Sequence, residues 1–240
     1  MMITRYTSAA SLGKDKRVLE IGCGAGQGLG MVGAAAKELV GGDYSLALLE
    51  TARQHFGERF PLINLSAEAL PFKDSSFEVV LCFEASYYVR NIDKAFDDIA
   101  RVLARNGTVL FVNANPERPD FIRSPHSIHY HTAHEFQAAL KRRGFSVSVA
   151  GAFPSERSNA DSNTFLSRAV PIARQLLEAA GLVPKTLRGR AQLKRLVYRK
   201  LKLVPPELAE GFASVAPLYP LDGSRSAGFR VIYIRGTRET

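Results

Sequence analysis

The chain has 240 residues, of which 46% are hydrophobic, and it carries a formal net charge of +9. Its two cysteines, Cys23 and Cys82, exclude a disulfide framework and favour a reducing, cytoplasmic setting. Residues 1–13 contain no apolar core of signal-peptide length, and no run approaches the roughly 18 apolar residues of a spanning helix. We therefore expect a soluble protein that has one compact globular domain, or one domain with an elaboration.

The positive charge is concentrated at one end of the sequence. Residues 1–150 hold 17 Lys+Arg against 16 Asp+Glu, whereas residues 151–240 hold 15 against 7. A general solubility device would be spread along the chain. The excess in the last third instead suggests a local acidic partner or an anionic surface.

Short β-rich runs alternate with helical patterns through the first two-thirds of the chain. The predicted strands are 17–21, 39–43, 62–65, 77–82, 108–113 and 146–150. The predicted helices are 26–38, 46–56, 92–104 and 132–143, the last with Thr132 and Glu135 as a capping box. Strands separated by helices of this length indicate an α/β fold with a mostly parallel sheet covered on both faces.

The pattern changes near Phe153. Residues 154–163 are polar, helices are predicted at 165–180, 190–202 and 206–215, and a last strand is predicted at 229–235. The predicted organisation is therefore a core at 1–152, a basic helical insertion or cap at 153–227 and a final core strand at 228–240.

A glycine-rich turn follows the first predicted strand, in residues 18–26 (VLEIGCGAG). Glycines allow a tight turn and close approach of a ligand, and a nucleotide-binding α/β sheet binds its ligand at this edge. Gln27 stands where a dinucleotide fingerprint would require glycine. Glu20 would repel a pyrophosphate but suits the ammonium group of a bound amino acid, such as that of S-adenosylmethionine.

A second acid ends the second predicted strand, at Asp43 in GGDYS. Its carboxylate could accept hydrogen bonds from both hydroxyls of a ribose. The alternative is that Asp43 or Ser45 only caps the following helix.

Several blocks of the first 150 residues resemble those of class I S-adenosylmethionine-dependent methyltransferases, in the branch with small-molecule acceptors. They are LPFKDSSFEVV at 70–80, RVLARNG at 101–107 and KRRGF at 141–145. The resemblance implies a Rossmann-like, doubly wound, seven-stranded sheet with one antiparallel strand and S-adenosyl-L-methionine as cofactor. Only about sixteen residues precede the first strand, so we ask whether the helix that often precedes it is missing.

The expected cofactor site combines the glycine turn with residues after the neighbouring strands. Ser66 replaces an aspartate that often contacts the adenine amino group in this family, and Glu68 could take that role. The candidate cofactor residues are Glu20, Gly22, Cys23, Gly24, Gly26, Asp43, Tyr44, Ser66, Ala67, Glu68 and Phe83.

The acceptor side is expected after the fourth strand, in CFEASYY at 82–88. Glu84 could orient an acceptor or take its proton, and Tyr88 could line the pocket. The alternatives are that Glu84 bonds a loop and that Tyr88 is a packing aromatic. The Asn/Asp-Pro-Pro-Tyr motif of methyltransferases that act on DNA bases or protein glutamine is absent.

Four of the five histidines cluster between positions 126 and 134. Histidine is a good general base for a hydroxyl, so His129 and His131 are candidate catalytic residues. A metal site is the rival interpretation, but no carboxylate or thiol is interleaved, and zinc usually has four ligands. We expect no metal, and a solvated loop remains the other alternative.

A basic stretch occupies the predicted cap, with no Asp or Glu from 179 to 206. It could be a solvated helix face, a lid for an acidic acceptor, a membrane-surface helix or a nucleic-acid contact, the last weakened by sparse aromatic residues. Its cations are Lys185, Arg188, Arg190, Lys194, Arg195, Arg199, Lys200 and Lys202.

The sequence therefore predicts a methyltransferase that acts on an oxygen or nitrogen of a small acceptor, for which acidic and lipid-linked molecules are the candidate classes. A nucleic-acid or protein methyltransferase that docks through the basic insertion is the alternative. A cofactor-binding module without catalysis is the third hypothesis.

Overall fold

Alternating strands and helices build one sheet that is covered on both faces. The computed structural model describes residues 1–155, 204–209, 211–221 and 226–239. Within these residues the strands are β1 (Arg17–Ile21), β2 (Glu38–Asp43), β3 (Leu62–Asn64), β4 (Phe77–Phe83), β5 (Leu103–Ala114), β6 (Phe145–Pro154), β7 (Tyr219–Pro220) and β8 (Phe229–Arg238). The helices are α1 (Met2–Gly13), α2 (Leu29–Gly33), α3 (Leu46–Phe56), α4 (Ile92–Val102) and α5 (Ala133–Lys141).

The strand order is β3-β2-β1-β4-β5-β8-β6-β7. Neighbouring strands from β3 to β5 are parallel, whereas β8 runs antiparallel to both β5 and β6. This is the predicted Rossmann-like sheet, with seven main strands and the two-residue β7 added at its edge. Because the chain leaves β1 for β2 on one side and reaches β4 on the other, a crevice forms at the carboxyl ends of β1 and β4.

The two faces of the sheet have separate apolar cores. One core joins the sheet to α1, α2 and α3 around residues such as Val18, Leu29 and Leu49. The other joins it to α4 and α5 around Phe96 and Phe136. The central strands are buried on both faces of the sheet, which explains why their sequences are continuously apolar.

In this part of the chain the structure answers one open question about a helix and corrects one predicted helix. A helix does precede the first strand, because Ile3, Tyr6 and Ala9 give α1 an apolar stripe that packs on the sheet. The helix predicted at 26–38 is only the five residues of α2. Its glycines favour helix weakly, and they let side chains approach closely: a Cβ at Gly33 would lie 2.3 Å from Phe60.

The predicted helix at 206–215 is wrong for the residues described there, 206–209 and 211–215, which contain no helix. This segment instead forms a strap, which we define as residues 204–209 and 211–217. Leu208 is buried in the core, and its amide donates to the carbonyl of Gln27 at 2.7 Å. The amide of Ala216 donates to the Thr4 hydroxyl at 3.0 Å. The strap therefore crosses the starts of α2 and α1, beside the glycine turn.

The remaining helices predicted in the insertion, 165–180 and 190–202, lie outside the described residues, as do the basic side chains at 185–202. Among the helices of the part that the structure describes, none combines the length and apolarity that a bilayer span requires.

Candidate active site

The glycine turn after β1 has the backbone shape that its sequence predicts. Gly22, Gly24 and Gly26 have φ angles of 77°, 59° and 83°, in the left-handed region that favours glycine. A Cβ at Gly22 would lie 2.4 Å from the Cβ of Ala85, whereas a Cβ at Gly24 would meet no atom within 4 Å. Gly22 therefore allows close packing of the turn on the residue after β4, and Gly24 faces open space where a ligand can approach.

Asp43 is fixed at the end of β2 by two backbone amides. Its Oδ2 accepts from the amide of Gly24 and its Oδ1 from the amide of Ser45, both at 2.8 Å. Ser45 is the residue that caps α3, since its hydroxyl accepts from the amide of Leu48. The carboxylate is thus held beside the glycine turn, with lone pairs left for further donors.

Glu20 is almost fully buried, with 1% of its surface exposed. Its Oε1 accepts from the Tyr6 hydroxyl at 2.7 Å, whereas its Oε2 has no hydrogen-bond partner. Burial raises the pKa of this carboxyl to about 7, although Tyr6 and the charge of Arg5 oppose the shift. A buried oxygen without a partner is costly, and an ammonium group placed beside it would remove that cost.

The segment after β3 is engaged in local structure. Glu68 accepts from the amides of Arg90 and Asn91 at 2.9 and 3.1 Å, so one of its oxygens holds the start of α4. The Ser66 hydroxyl accepts from the Glu68 amide at 3.2 Å. Ala67 packs against the core on the α4 side. The adenine contacts predicted for these residues stay predictions.

The other candidate cofactor residues differ in exposure. Tyr44 is 83% exposed beside Asp43, and its ring is available to a ligand. Phe83 is buried, with its ring 5.4 Å from that of Tyr6 in an edge-to-face arrangement. Burial raises the pKa of the Cys23 thiol, so this cysteine is a neutral side chain rather than a nucleophile.

Glu84 lies directly after β4 with a φ of 52°, a left-handed conformation that is uncommon for a residue other than glycine. Its Oε2 accepts from the Tyr87 hydroxyl at 3.1 Å, and its Oε1 lies 3.7 Å from Nη2 of Arg5. The side chain remains 27% exposed. Strained backbone of this kind is often found at functional sites, and here it accompanies a carboxylate that solvent can reach.

An aromatic cluster surrounds Glu84. The rings of Tyr87 and Tyr130 stack with their centroids 4.2 Å apart, and Tyr88 packs against Tyr87 at 4.6 Å. The Tyr88 hydroxyl forms a 2.7 Å hydrogen bond with the Ser124 hydroxyl. The segment after β5 therefore does reach the predicted acceptor side, through Tyr130.

The two candidate histidines lie on either side of Tyr130 in sequence and pack toward α5. His129 and His131 have ring centroids 4.4 Å apart, and His129 lies 3.7 Å from the carboxylate of Glu135. His131 packs against Phe136, and burial lowers its pKa. Their contacts are with α5, whereas the contacts of Tyr130 are with the Glu84 cluster.

No group of three His, Cys, Asp or Glu side chains suited to a metal ion occurs among the described residues. The capping box predicted at Thr132 and Glu135 is confirmed. It begins α5 directly after the histidine segment.

Sequence reasoning missed the contributions of Arg5, Tyr6, Tyr87 and Tyr130. Tyr6 and Arg5 come from α1, which the sequence left in doubt, and they meet Glu20 and Glu84 only through folding. The hydroxyl of Tyr233 is also buried without a hydrogen-bond partner. No local sequence pattern marks any of these residues.

Comparison with known proteins identifies a related domain and a shared fold. Residues 19–111 match the model of a methyltransferase domain family. The chain is 33% identical over 111 residues to the uncharacterized methyltransferase YcgJ of Bacillus subtilis, an alignment that covers 44% of each chain. It is 30% identical over 107 residues to a malonyl-(acyl-carrier protein) O-methyltransferase of Legionella pneumophila, covering 42% of this chain and 37% of that one.

A fatty-acid O-methyltransferase of Mycolicibacterium smegmatis is 30% identical over 113 residues, covering 46% of this chain and 41% of the relative. These alignments thus span less than half the length of each curated relative. The crystal structure of YcgJ superimposes over 100% of both chains with a TM-score of 0.64 and 21% identity, which shows the shared fold.

Residues 19–111 are therefore similar to a methyltransferase domain, and the described sheet has the Rossmann-like fold that the chain shares with YcgJ.

Proposed function

We propose that this chain binds S-adenosyl-L-methionine at the carboxyl ends of β1 and β2 and catalyses methyl transfer to an oxygen or nitrogen of a small molecule. The observation that carries the proposal is that two carboxylates in different environments lie beside one open glycine turn. Glu20 has a buried oxygen without a partner, and Asp43 is held by two amides. Gly24 leaves space beside Asp43.

The residues at this edge of the sheet suit the separate chemical groups of the cofactor. Glu20 would receive the ammonium of the methionine part, because a buried carboxylate oxygen needs a charged or hydrogen-bonded partner. Asp43 would accept hydrogen bonds from the ribose hydroxyls. Tyr44 offers an exposed ring beside Asp43 for contact with the ribose or adenine.

Arg5 supplies a positive charge close to Glu20 and Glu84. Its Nε is buried without a hydrogen-bond partner. The carboxylate of the methionine part lies one bond from the carbon that bears the ammonium. Arg5, the one Lys or Arg of α1, would therefore bind that carboxylate while Glu20 binds the ammonium.

Glu84 is the candidate base on the acceptor side. When bound, the cofactor supplies an electrophilic methyl group on a sulfonium, so the protein's tasks are alignment and, for a hydroxyl acceptor, removal of a proton. The Tyr87 hydroxyl orients the Glu84 carboxylate, and Tyr130 packs on Tyr87 to fix that ring. Tyr88, exposed at the edge of the cluster, would contact the acceptor.

An acidic or lipid-linked molecule is the acceptor class that we propose. Glu84 would take a proton where the methylated group is a hydroxyl or an amine, whereas a carboxylate acceptor is already deprotonated and would need only alignment. Two relatives are named for a malonyl-(acyl-carrier protein) and a fatty acid as methyl acceptors. The basic residues of the insertion provide charge that would attract such an anion.

A screen with labelled cofactor tests the proposal. Pooled carboxylic acids, acyl thioesters, phenols and amines are incubated with the full chain and with its Glu84→Gln variant. We expect label in at least one pool with the unchanged chain and much less with the variant. Cofactor binding without transfer to any pool would favour a binding module without catalysis.

A further inference from the structure

An apolar cleft of about 260 Å³ lies between α1 and the far half of the sheet, on the face opposite α4 and α5. We call it the α1 cleft. Its floor follows the strand register: Leu110 of β5 pairs with Arg235 of β8, which pairs with Ser148 of β6. Two residues further toward the carboxyl end of β5, the residue opposite on β8 is Tyr233, which pairs with Ala150 of β6.

Small side chains keep the α1 cleft open. Ser148 and Ala150 lie two residues apart on β6, so they point to the same face of the sheet and leave a shallow surface. The roof is formed by Leu12 of α1 and by Leu218, which follows the strap. The nearby Ser8 hydroxyl donates to the Thr4 carbonyl of its own helix at 3.0 Å, so it needs no partner in the cleft.

Tyr233 connects the α1 cleft to the acceptor side. It lines the cleft and is only 3% exposed, yet its hydroxyl has no hydrogen-bond partner. The amide of Glu84 donates to the carbonyl of Val112 at 2.9 Å, and Val112 pairs with Tyr233 across β5 and β8, so Glu84 lies next to this tyrosine. Burial raises the pKa of the Tyr233 hydroxyl to about 12. The tyrosine end of the cleft is therefore polar and close to the candidate base, whereas the opposite end finishes at the exposed Arg235.

From this arrangement we infer that the α1 cleft binds the aliphatic chain of the methyl acceptor, with the reactive group at the Tyr233 end, where the Tyr233 hydroxyl can donate to a carboxylate and Glu84 can accept from a hydroxyl. The inference rests on the proposed function, because it names the substrate class of the same site. A cavity of about 150 Å³ in another protein is large enough for benzene. The α1 cleft would thus accommodate about eight to ten carbon atoms.

Direct binding of straight-chain carboxylates to the full chain tests the inference without any turnover. Calorimetry with butanoate, hexanoate, octanoate and decanoate should show an affinity that rises about fourfold for each added methylene, because each buried methylene contributes a fixed free energy. The rise should end near eight to ten carbons, where the cleft is full.

Two serines of β6 provide a matched pair of variants. Ser148→Leu fills the α1 cleft, whereas Ser146→Leu adds the same side chain at another exposed position of the same strand, outside the cleft. We expect Ser148→Leu to weaken decanoate binding at least tenfold and Ser146→Leu to change it less than twofold. Both variants should keep the cooperative denaturant unfolding of the unchanged chain, which shows that they are folded.

Equal decanoate binding in the two variants, or no gain in affinity with chain length, would overturn the inference. A different result would contradict the proposed function without contradicting the inference about the cleft. A chain that binds decanoate in the cleft but does not bind S-adenosylmethionine would keep the cleft and lose the methyltransferase proposal.

Discussion

The two halves of the candidate site are built in different ways. The cofactor half, at the ends of β1 and β2, consists of a glycine turn and two carboxylates that lie within 24 residues of sequence. The acceptor half, after β4 and β5, depends on contacts such as Arg5 with Glu84 and Tyr87 with Tyr130, which join distant parts of the chain. A local motif specifies the first half, and folding specifies the second.

This difference has a consequence for what substitutions should do. Changes in the cofactor half act on backbone shape and on buried charge, so they should alter binding and stability together. Changes in the acceptor half should alter turnover while cofactor binding is kept. Substitutions in each half therefore distinguish the two.

The largest effect is expected for Glu84→Gln. If Glu84 removes the acceptor proton, kcat should fall about 10²- to 10⁴-fold, with cofactor affinity unchanged. Glu78→Gln is the matched control, since Glu78 lies at the other end of β4 and pairs with Arg17. Steady-state kinetics on the acceptor found in the screen is the measurement. Similar kcat values for both variants would leave Glu84 as a structural residue only.

The pH dependence of stability should report on Glu20. Its pKa of about 7 lies above the value of an unfolded glutamate, so the folded chain binds this proton more tightly. In the absence of cofactor, Glu20 should lower the free energy of unfolding as pH rises from about 4.5 to 7, by on the order of 3 kcal/mol. Denaturant unfolding across this range is the measurement.

Glu20→Gln should remove that contribution, and Glu50→Gln, a change on the exposed side of α3, should keep it. The diagnostic quantity is the difference between the two variants, because other carboxylates also titrate. Parallel stability curves for both variants would show that Glu20 does not hold a proton near neutral pH.

Two glycines of the same turn should respond differently to alanine. Both variants suffer the cost of a left-handed residue, about 1–2 kcal/mol. Gly22→Ala should lose about 1–3 kcal/mol more, since its Cβ overlaps that of Ala85. Gly24→Ala should instead weaken cofactor binding, because its Cβ enters the open space beside Asp43. Equal losses of stability and of affinity in both variants would contradict this division.

The smallest effect is expected for the histidines. His129 and His131 contact α5, so alanine at either position should change kcat less than about twofold. Tyr130→Ala should cost more, because it removes the ring that stacks on Tyr87. A large loss of kcat in His131→Ala, with Tyr130→Ala near normal, would restore the histidine as a candidate base.

The fold was predictable where the local pattern was strong. Residues 17–21 form β1 as expected, and the capping box at Thr132 begins α5. The helix predicted at 206–215 failed because Leu208 is buried by tertiary packing, which outweighs local periodicity. The same holds for α2, where glycines allow close contacts in place of a longer helix.

The candidate site was predictable in its identities more than in its contacts. Glu20 and Asp43 lie at the carboxyl ends of β1 and β2, and Glu84 directly follows β4; the sequence predicts this placement at one edge of the sheet. The sequence could not show that Glu68 bonds the start of α4, or that Tyr130 rather than its neighbouring histidines packs on the Tyr87 ring beside Glu84. Alternation along an extended segment sends adjacent side chains to opposite sides, and the register of a loop is set only by packing.

Calorimetric titration of S-adenosyl-L-methionine into the unchanged chain, Glu20→Gln and Asp43→Ala tests the central claim most directly. We predict binding by the unchanged chain, a loss of about 1–3 kcal/mol in each variant, and no binding of NAD. Unchanged affinity in both variants, or no binding by the unchanged chain, would contradict the assignment of this edge of the sheet as the cofactor site.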